Sequence, residues 1–443
     1  MMRAMTPPLA AMGMSLLLLS ATRAAHAEIP VASYDGWRVL LDARLSVFAS
    51  YGIGKGVPEG QTENAGAGTS DTQSADGALH SFRLRNGFMM SVLGLDTEKQ
   101  VSPSLKVSTR VALWMNVSGS RDKNFAGMVD PRELWVKLEG PWGQVLGGSD
   151  LALFGRGGIL VDFAIAHEYG LGYPCSIRVA SGGACGMAVF GATFPGYEPG
   201  VVYSTPSLGG FQASVGAYDP VTIGLAQLDR APLPRLEGEL KYEYKTNLRV
   251  FGSGFWQVLE GTTPDTRPEA MGRQKNLQVQ AYGVQAGAMV AAGPVQIGGA
   301  AMQGRGFGPI TYLEGSPVAT DPTGVLRDSR GAFGLASATI ERAHLKFAGG
   351  AGVWHVDRAK NDSGPRSVTG APANPRLIKQ NFGITVGAYH TVGPVQLALE
   401  YFRAQHNWHE QGVPSATDPN VTASVISAQQ VVHFINAGLT VAW

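Results

Sequence analysis

From Trp37 to Tyr51 the odd positions read Trp37, Val39, Leu41, Ala43, Leu45, Val47, Ala49 and Tyr51, and the even ones include Arg38, Asp42, Arg44, Ser46 and Ser50. A period of two puts the first set on one face of an extended strand and the second set on the other. The run is about twice as long as a common globular strand. One wholly apolar face against a charged one, closed by an aromatic residue at each end, fits a membrane wall better than a soluble sandwich. The pattern returns at Leu105, Val107, Thr109, Val111, Leu113 and Met115 against Lys106, Ser108, Arg110 and Asn116. It returns again at Leu134, Val136 and Leu138 against Glu133, Lys137 and Glu139.

The spacing between such runs alternates. Short turns are expected near residues 98–103, 141–143, 207–210, 246–247, 293–294, 341–344 and 392–394. Long connections are expected near residues 52–80, 117–130, 155–199, 220–234, 260–275, 305–327, 358–377 and 406–424. Short turns on one side and long loops on the other imply an all-β, transmembrane antiparallel β-barrel of about 16 strands, with both chain ends on the short-turn side. Between Gln278 and Val290 the alternation slips phase, which predicts a bulge.

The N-terminus carries the three parts of an export signal: Arg3, an apolar run from Leu9 to Ala21, and the small-x-small triplet Ala25-His26-Ala27. Residues 1–27 are therefore expected to be a cleaved signal peptide and residues 28–443 one barrel domain. No later stretch approaches the ~20 apolar residues of a membrane-spanning helix. With a formal net charge of +1 and 16% charged residues, the chain lacks the basic excess that nucleic-acid binding requires. These features together predict a multi-pass barrel in the outer membrane of a Gram-negative cell, in contact with its lipid and lipopolysaccharide.

The third long connection, about residues 150–200, exceeds ordinary loop length and holds both cysteines. It is expected to fold inward as a constriction loop. In an exported chain with two cysteines ten apart, a Cys175–Cys185 disulfide is expected. No metal site is expected, since only His167 lies near them, and no cofactor is implied.

If the apolar parity faces lipid, Arg44, Arg85, Arg110 and Lys137 face the lumen near the middle of their strands. Asp150, Asp162 and Glu168, near or within the third connection, are the candidates to face them. The two sets would either set up a transverse field across a narrow wet section or simply keep the lumen hydrated. The nine histidines are dispersed and no acid–histidine set accompanies them, so no enzyme activity is expected.

The chain ends in Phe434-Ile435-Asn436-Ala437-Gly438-Leu439-Thr440-Val441-Ala442-Trp443, alternating to a terminal aromatic residue. Together with Ser81-Phe82-Arg83-Leu84-Arg85-Asn86-Gly87, Glu133-Leu134-Trp135-Val136-Lys137-Leu138-Glu139-Gly140 and Val201-Val202-Tyr203-Ser204-Thr205-Pro206-Ser207-Leu208-Gly209-Gly210-Phe211, in that order, it resembles the trimeric general diffusion porins of Gram-negative bacteria. The resemblance implies a sixteen-stranded barrel, a homotrimer, a third external loop in the lumen, and a last strand ending at Trp443 that the outer-membrane assembly machinery reads. The function it implies is passive diffusion of small hydrophilic solutes and ions. A channel specific for sugars or organic acids, with Phe163, Tyr169, Tyr173 and Phe194 as a track, is the alternative; an adhesin or enzyme on the same scaffold is a more distant one.

Overall fold

The computed structural model describes residues 29–56, 78–88, 90–115, 129–165, 190–193, 195–220, 228, 230–264, 274–307, 320–321, 324–359, 377–409, 411–414, 422–426 and 428–443. A hairpin opens the chain: β1 (Ile29–Tyr34) turns through Asp35 and Gly36, both at positive φ, into β2 (Trp37–Lys55). There follow β3 (Ala78–Arg85), β4 (Ser91–Ser102), β5 (Leu105–Met115), β6 (Val129–Gly140) and β7 (Gly143–Leu151). The helix α1 (Arg156–Ile165) comes next, then β8 (Tyr197–Ser204), β9 (Phe211–Tyr218), β10 (Arg235–Tyr244), β11 (Leu248–Pro264) and β12 (Gln274–Ala292). The chain continues through β13 (Val295–Arg305), β14 (Asp328–Ile340), β15 (Leu345–Val356), β16 (Ile378–Val392) and β17 (Val395–Trp408). A small hairpin of β18 (Gln411–Pro414) and β19 (Thr422–Ile426) precedes β20 (Gln429–Ala442).

From β4 to β17 each strand pairs antiparallel with the next; β17 pairs with β20, and β2 with both β20 and β4, so the sheet closes. The upper half of β2 faces β3 and its lower half faces β4, which makes those two a single interrupted spanning strand. The barrel thus has sixteen spanning strands, with β1 as an appendix. β1 pairs with residues 37–41 of β2, below the point where Trp443 bonds Ala43, and so continues the line of β20 past its end. Closure of a sheet on itself is the condition for crossing a bilayer with strands.

The outer face is apolar. Leu45, Val47, Phe82, Leu84, Leu93, Leu95, Val136, Val215, Leu240, Val284, Ile297, Val386, Leu399 and Ile435 all point away from the lumen and are exposed. Each half-exposed aliphatic side chain would cost roughly 1 kcal/mol in water, which hydrocarbon relieves. Tyr51, Trp142, Tyr203, Tyr244 and Tyr401 are exposed aromatics of the kind that form interfacial girdles.

The expected bulge between Gln278 and Val290 is absent: β12 pairs with β11 in one unbroken register. The hydropathy pattern slips there because the outward positions begin with the polar Gln278 and Gln280, while the inward ones, Gln285 apart, are Ala281, Gly283, Gly287 and Met289. Small inward residues make room for a helix, as described next.

Candidate functional site: the lumen of the barrel

The first eight spanning strands, β2 to β10, line their half of the lumen with charge. Arg110 is the hub. Its guanidinium lies 2.8 Å from Asp42 and 3.1 Å from Glu133, and it also pairs with Asp96. All four side chains are at most 14% exposed, so the pairs are shielded from full solvent screening. Glu133 also accepts from the Trp114 indole at 3.1 Å. Arg44 and Arg132 stand against Trp114 at 5.4 and 5.3 Å from the ring centre. Lys137 pairs with Glu139 at 3.3 Å and rests over Trp135.

The last eight, β11 to β17 and β20, are different inside. Their buried residues include Phe251, Phe255, Phe333, Leu335, Trp354, Tyr389, Phe402, Val432 and Phe434. Glu400, bonded by the Tyr389 hydroxyl at 2.7 Å, is their buried carboxylate among the described residues.

The described parts of the third connection, residues 152–165 and 190–193, lie against this half. Phe154 packs on Phe255 at 4.7 Å and on Phe307 at 5.9 Å, and Phe307 in turn packs on Trp354 at 5.3 Å. Helix α1 runs along the inner face of β11 to β14. Gly157 lies against the Phe251 ring, and a side chain at Gly298 would meet Ile165 and Val161. On the return, Phe190 lies on Phe402 and His406, at 6.0 and 5.6 Å. The root of the connection is fixed by charge: the Phe154 amide donates to Glu237 at 2.8 Å, Arg235 holds Glu237 at 2.9 Å, and Arg156 pairs with Glu239.

The residues singled out from sequence fall unevenly on this frame. Arg44 is on the inner face but buried, with its guanidinium donating to the Met90 carbonyl at 3.0 and 2.8 Å. Arg110 and Lys137 are on the inner face in the pairs above. Arg85 ends β3 opposite Phe48; its side chain lies outside the described residues, as do Glu168, Cys175, Cys185, Tyr169 and Tyr173, and the side chains of Phe163 and Phe194. Asp150 sits in β7 opposite Glu198, and its carboxylate accepts from the Leu151 amide at 2.8 Å. Asp162 is buried on α1. Sequence reasoning missed Asp96 and Glu133 as partners of Arg110, and it missed the aromatic packing behind α1. The signal for the second was present: from Val250 to Trp256 large apolar residues occupy both parities, Val250 and Trp256 on one and Phe251 and Phe255 on the other, which marks a strand with apolar surroundings on both faces.

A closed sheet, apolar outside and charged along half of its inside, is a β-barrel channel of the outer membrane. The family model described as Gram-negative porin matches residues 14–433, and the chain belongs to that family. It is thus a multi-pass outer-membrane protein and a diffusion channel. Among solved structures, the chain is similar to the outer membrane channel DcaP of Acinetobacter baumannii (16% identity, 92% of this chain and 99% of that one, TM-score 0.55). It is also similar to an anion-selective porin from Comamonas acidovorans (16% identity, 92% and 100% coverage, TM-score 0.57). No curated protein matches the sequence.

Proposed function

We propose that small hydrophilic solutes and ions pass along the charged half of the lumen, and that the connection from Gly155 to Gly200 narrows the path by occupying the other half. The observation that carries this reading is the position of α1 on the inner face of β11 to β14. Water and ions then meet Arg110, Lys137 and their carboxylate partners, while the other half offers them few charges and is partly covered by α1. Asp150, Asp162 and Glu168 would act from the loop side of the path, and Arg85 from the wall. An enzymatic role has no support from this arrangement.

Several features accompany the reading. Removal of residues 1–27 would leave Glu28 one residue before β1, within reach of the terminal Trp443 strand. A Cys175–Cys185 disulfide would tie the middle of the loop in the oxidising periplasm. Trp443 would be read by the assembly machinery, three copies would associate, and lipid and lipopolysaccharide would cover the apolar outer face.

Planar-bilayer recording of the refolded protein tests the proposal. Conductance steps in threes that scale with salt are expected. A folded barrel that gives no steps contradicts it.

A further inference from the structure

The second spanning strand contains a step. On β2, four positions separate Phe48 from Arg44. On the facing chain, seven separate Arg85, opposite Phe48, from Val92, opposite Arg44. The ladder has no place for the three surplus residues. An odd surplus reverses side-chain parity, and the outward residues are accordingly Phe82 and Leu84 before the step but Leu93 and Leu95 after it.

The surplus turns into the lumen. Phe88 is buried in the inner apolar cluster that includes Phe48, and Met90 packs with Val92, Ala112 and Trp114 on the inner wall. The step is held by donors and acceptors from three strands. Asn86 donates its amide to Ser91 Oγ at 2.9 Å and to the Met115 carbonyl at 3.2 Å. The Gly87 amide donates to Ser46 Oγ at 3.1 Å, and Arg44 grips the Met90 carbonyl with two donors. So many buried partners mark a built feature rather than a slack loop. The step stands on the second of sixteen spanning strands and β12, which carries α1, is the tenth, so the two lie half a circumference apart.

We infer that Asn86 to Phe88, with Met90, is a second narrowing element of the channel, built into the wall that faces α1, and that Arg44 positions it. The inference rests on the channel reading above. It gives Arg44 a task other than lining the path: its charge is spent on a backbone carbonyl. A constriction set within a spanning strand and tied to its neighbours by these hydrogen bonds cannot swing away as a loop can, so it sets a fixed lower limit to the path.

Unitary conductance of the full-length protein decides the matter. Phe88→Ala and Phe88→Leu should raise it, Ala by roughly 1.3-fold or more, because the narrowest section governs flow. Leu keeps the apolar packing and so remains readable where Ala does not fold. Arg44→Ala should raise conductance in the same sense and Arg44→Lys should restore it, since one ammonium donor still reaches Met90. Outward Leu84→Ala should leave it unchanged. Conducting Phe88 variants indistinguishable from the parent overturn this inference and leave the channel reading intact; a folded parent without steps overturns the channel reading beneath it.

Discussion

On the inner face of β2 to β10 the buried charged residues are Asp42, Arg44, Asp96, Arg110, Arg132, Glu198, Arg235, Glu237 and Glu239; on β11 to β17 and β20 Glu400 is the buried carboxylate among the described residues, and buried Phe, Trp, Leu, Met and Ala stand beside neutral Gln, Asn, Ser and Thr. Both sets line the same barrel, yet their energetics differ. The charged half keeps its ions by pairing them, so each carboxylate depends on a specific cation. The apolar half keeps its aromatics by covering them with α1, Phe154, Phe190 and Phe307, so its stability depends on the loops staying inside. Formal charge in the lumen is thus concentrated on one half of the wall, and on the other half α1 and its neighbours cover the aromatic residues.

The largest effect should come from breaking the hub of the charged half. Arg110→Ala leaves three carboxylates without their shared cation and should cost about 4 kcal/mol, read as a lower temperature for loss of the heat-resistant gel band. The surviving carboxylates should also move the reversal potential in a salt gradient toward cation preference. Phe307→Ala removes the ring that joins Phe154, Phe255 and Trp354 and should cost about 3 kcal/mol in the same assay. Its reversal potential should stay at the parent value, which separates the two halves cleanly. Gly298→Val, aimed at Ile165 and Val161, should cost about 1–3 kcal/mol by pushing α1 off the wall, with noisier single-channel currents as the signature.

Lys137→Gln lies at the wet end of the scale. Its pair with Glu139 is partly exposed, so the loss should stay below about 0.5 kcal/mol while the reversal potential shifts slightly. The last effect is confined to acid pH. His409 follows β17, and burial holds its imidazole down to about 4, with the ring donating to the Val356 carbonyl at 2.8 Å. Above the ordinary value of 6.5 the ring is neutral folded or unfolded, and its contribution is complete. As pH falls through the window from 6.5 to about 4, the unfolded chain takes up the proton and the folded one does not, so stability declines. His409→Gln should flatten that part of the stability curve, and an unchanged slope would assign the acid sensitivity elsewhere.

Much of this architecture is legible in the sequence, for a definite reason. A lipid-facing position tolerates only apolar residues, so parity stays clean wherever the opposite face meets water, as at Leu45 and Val47 or Leu134 and Val136. Short turns such as residues 141–142 and 246–247 are readable because the strands on either side run long. The pattern fails where the inner face is not wet. Behind α1 the inward Gly283, Gly287 and Met289 blur the alternation of β12, and the expected bulge there is only small residues making space. The real break, at Asn86, hides because its surplus residues are apolar as well. β1 was missed because Ile29 to Tyr34 is too short to show a period beside the export signal. As for Arg110, parity placed it on the inner face, but pairing across strands depends on register, which no single strand encodes.

The central claim is that solutes travel along one half of the lumen. Single inward cysteines, in a Cys175→Ser/Cys185→Ser background, can be challenged with a charged, membrane-impermeant thiol reagent during bilayer recording. Cysteine at Lys106 or Lys137 should react and cut the current, while cysteine at Ala300 or Gly331, behind the inserted connection, should leave it unchanged. Equal block at both pairs of positions would contradict the account.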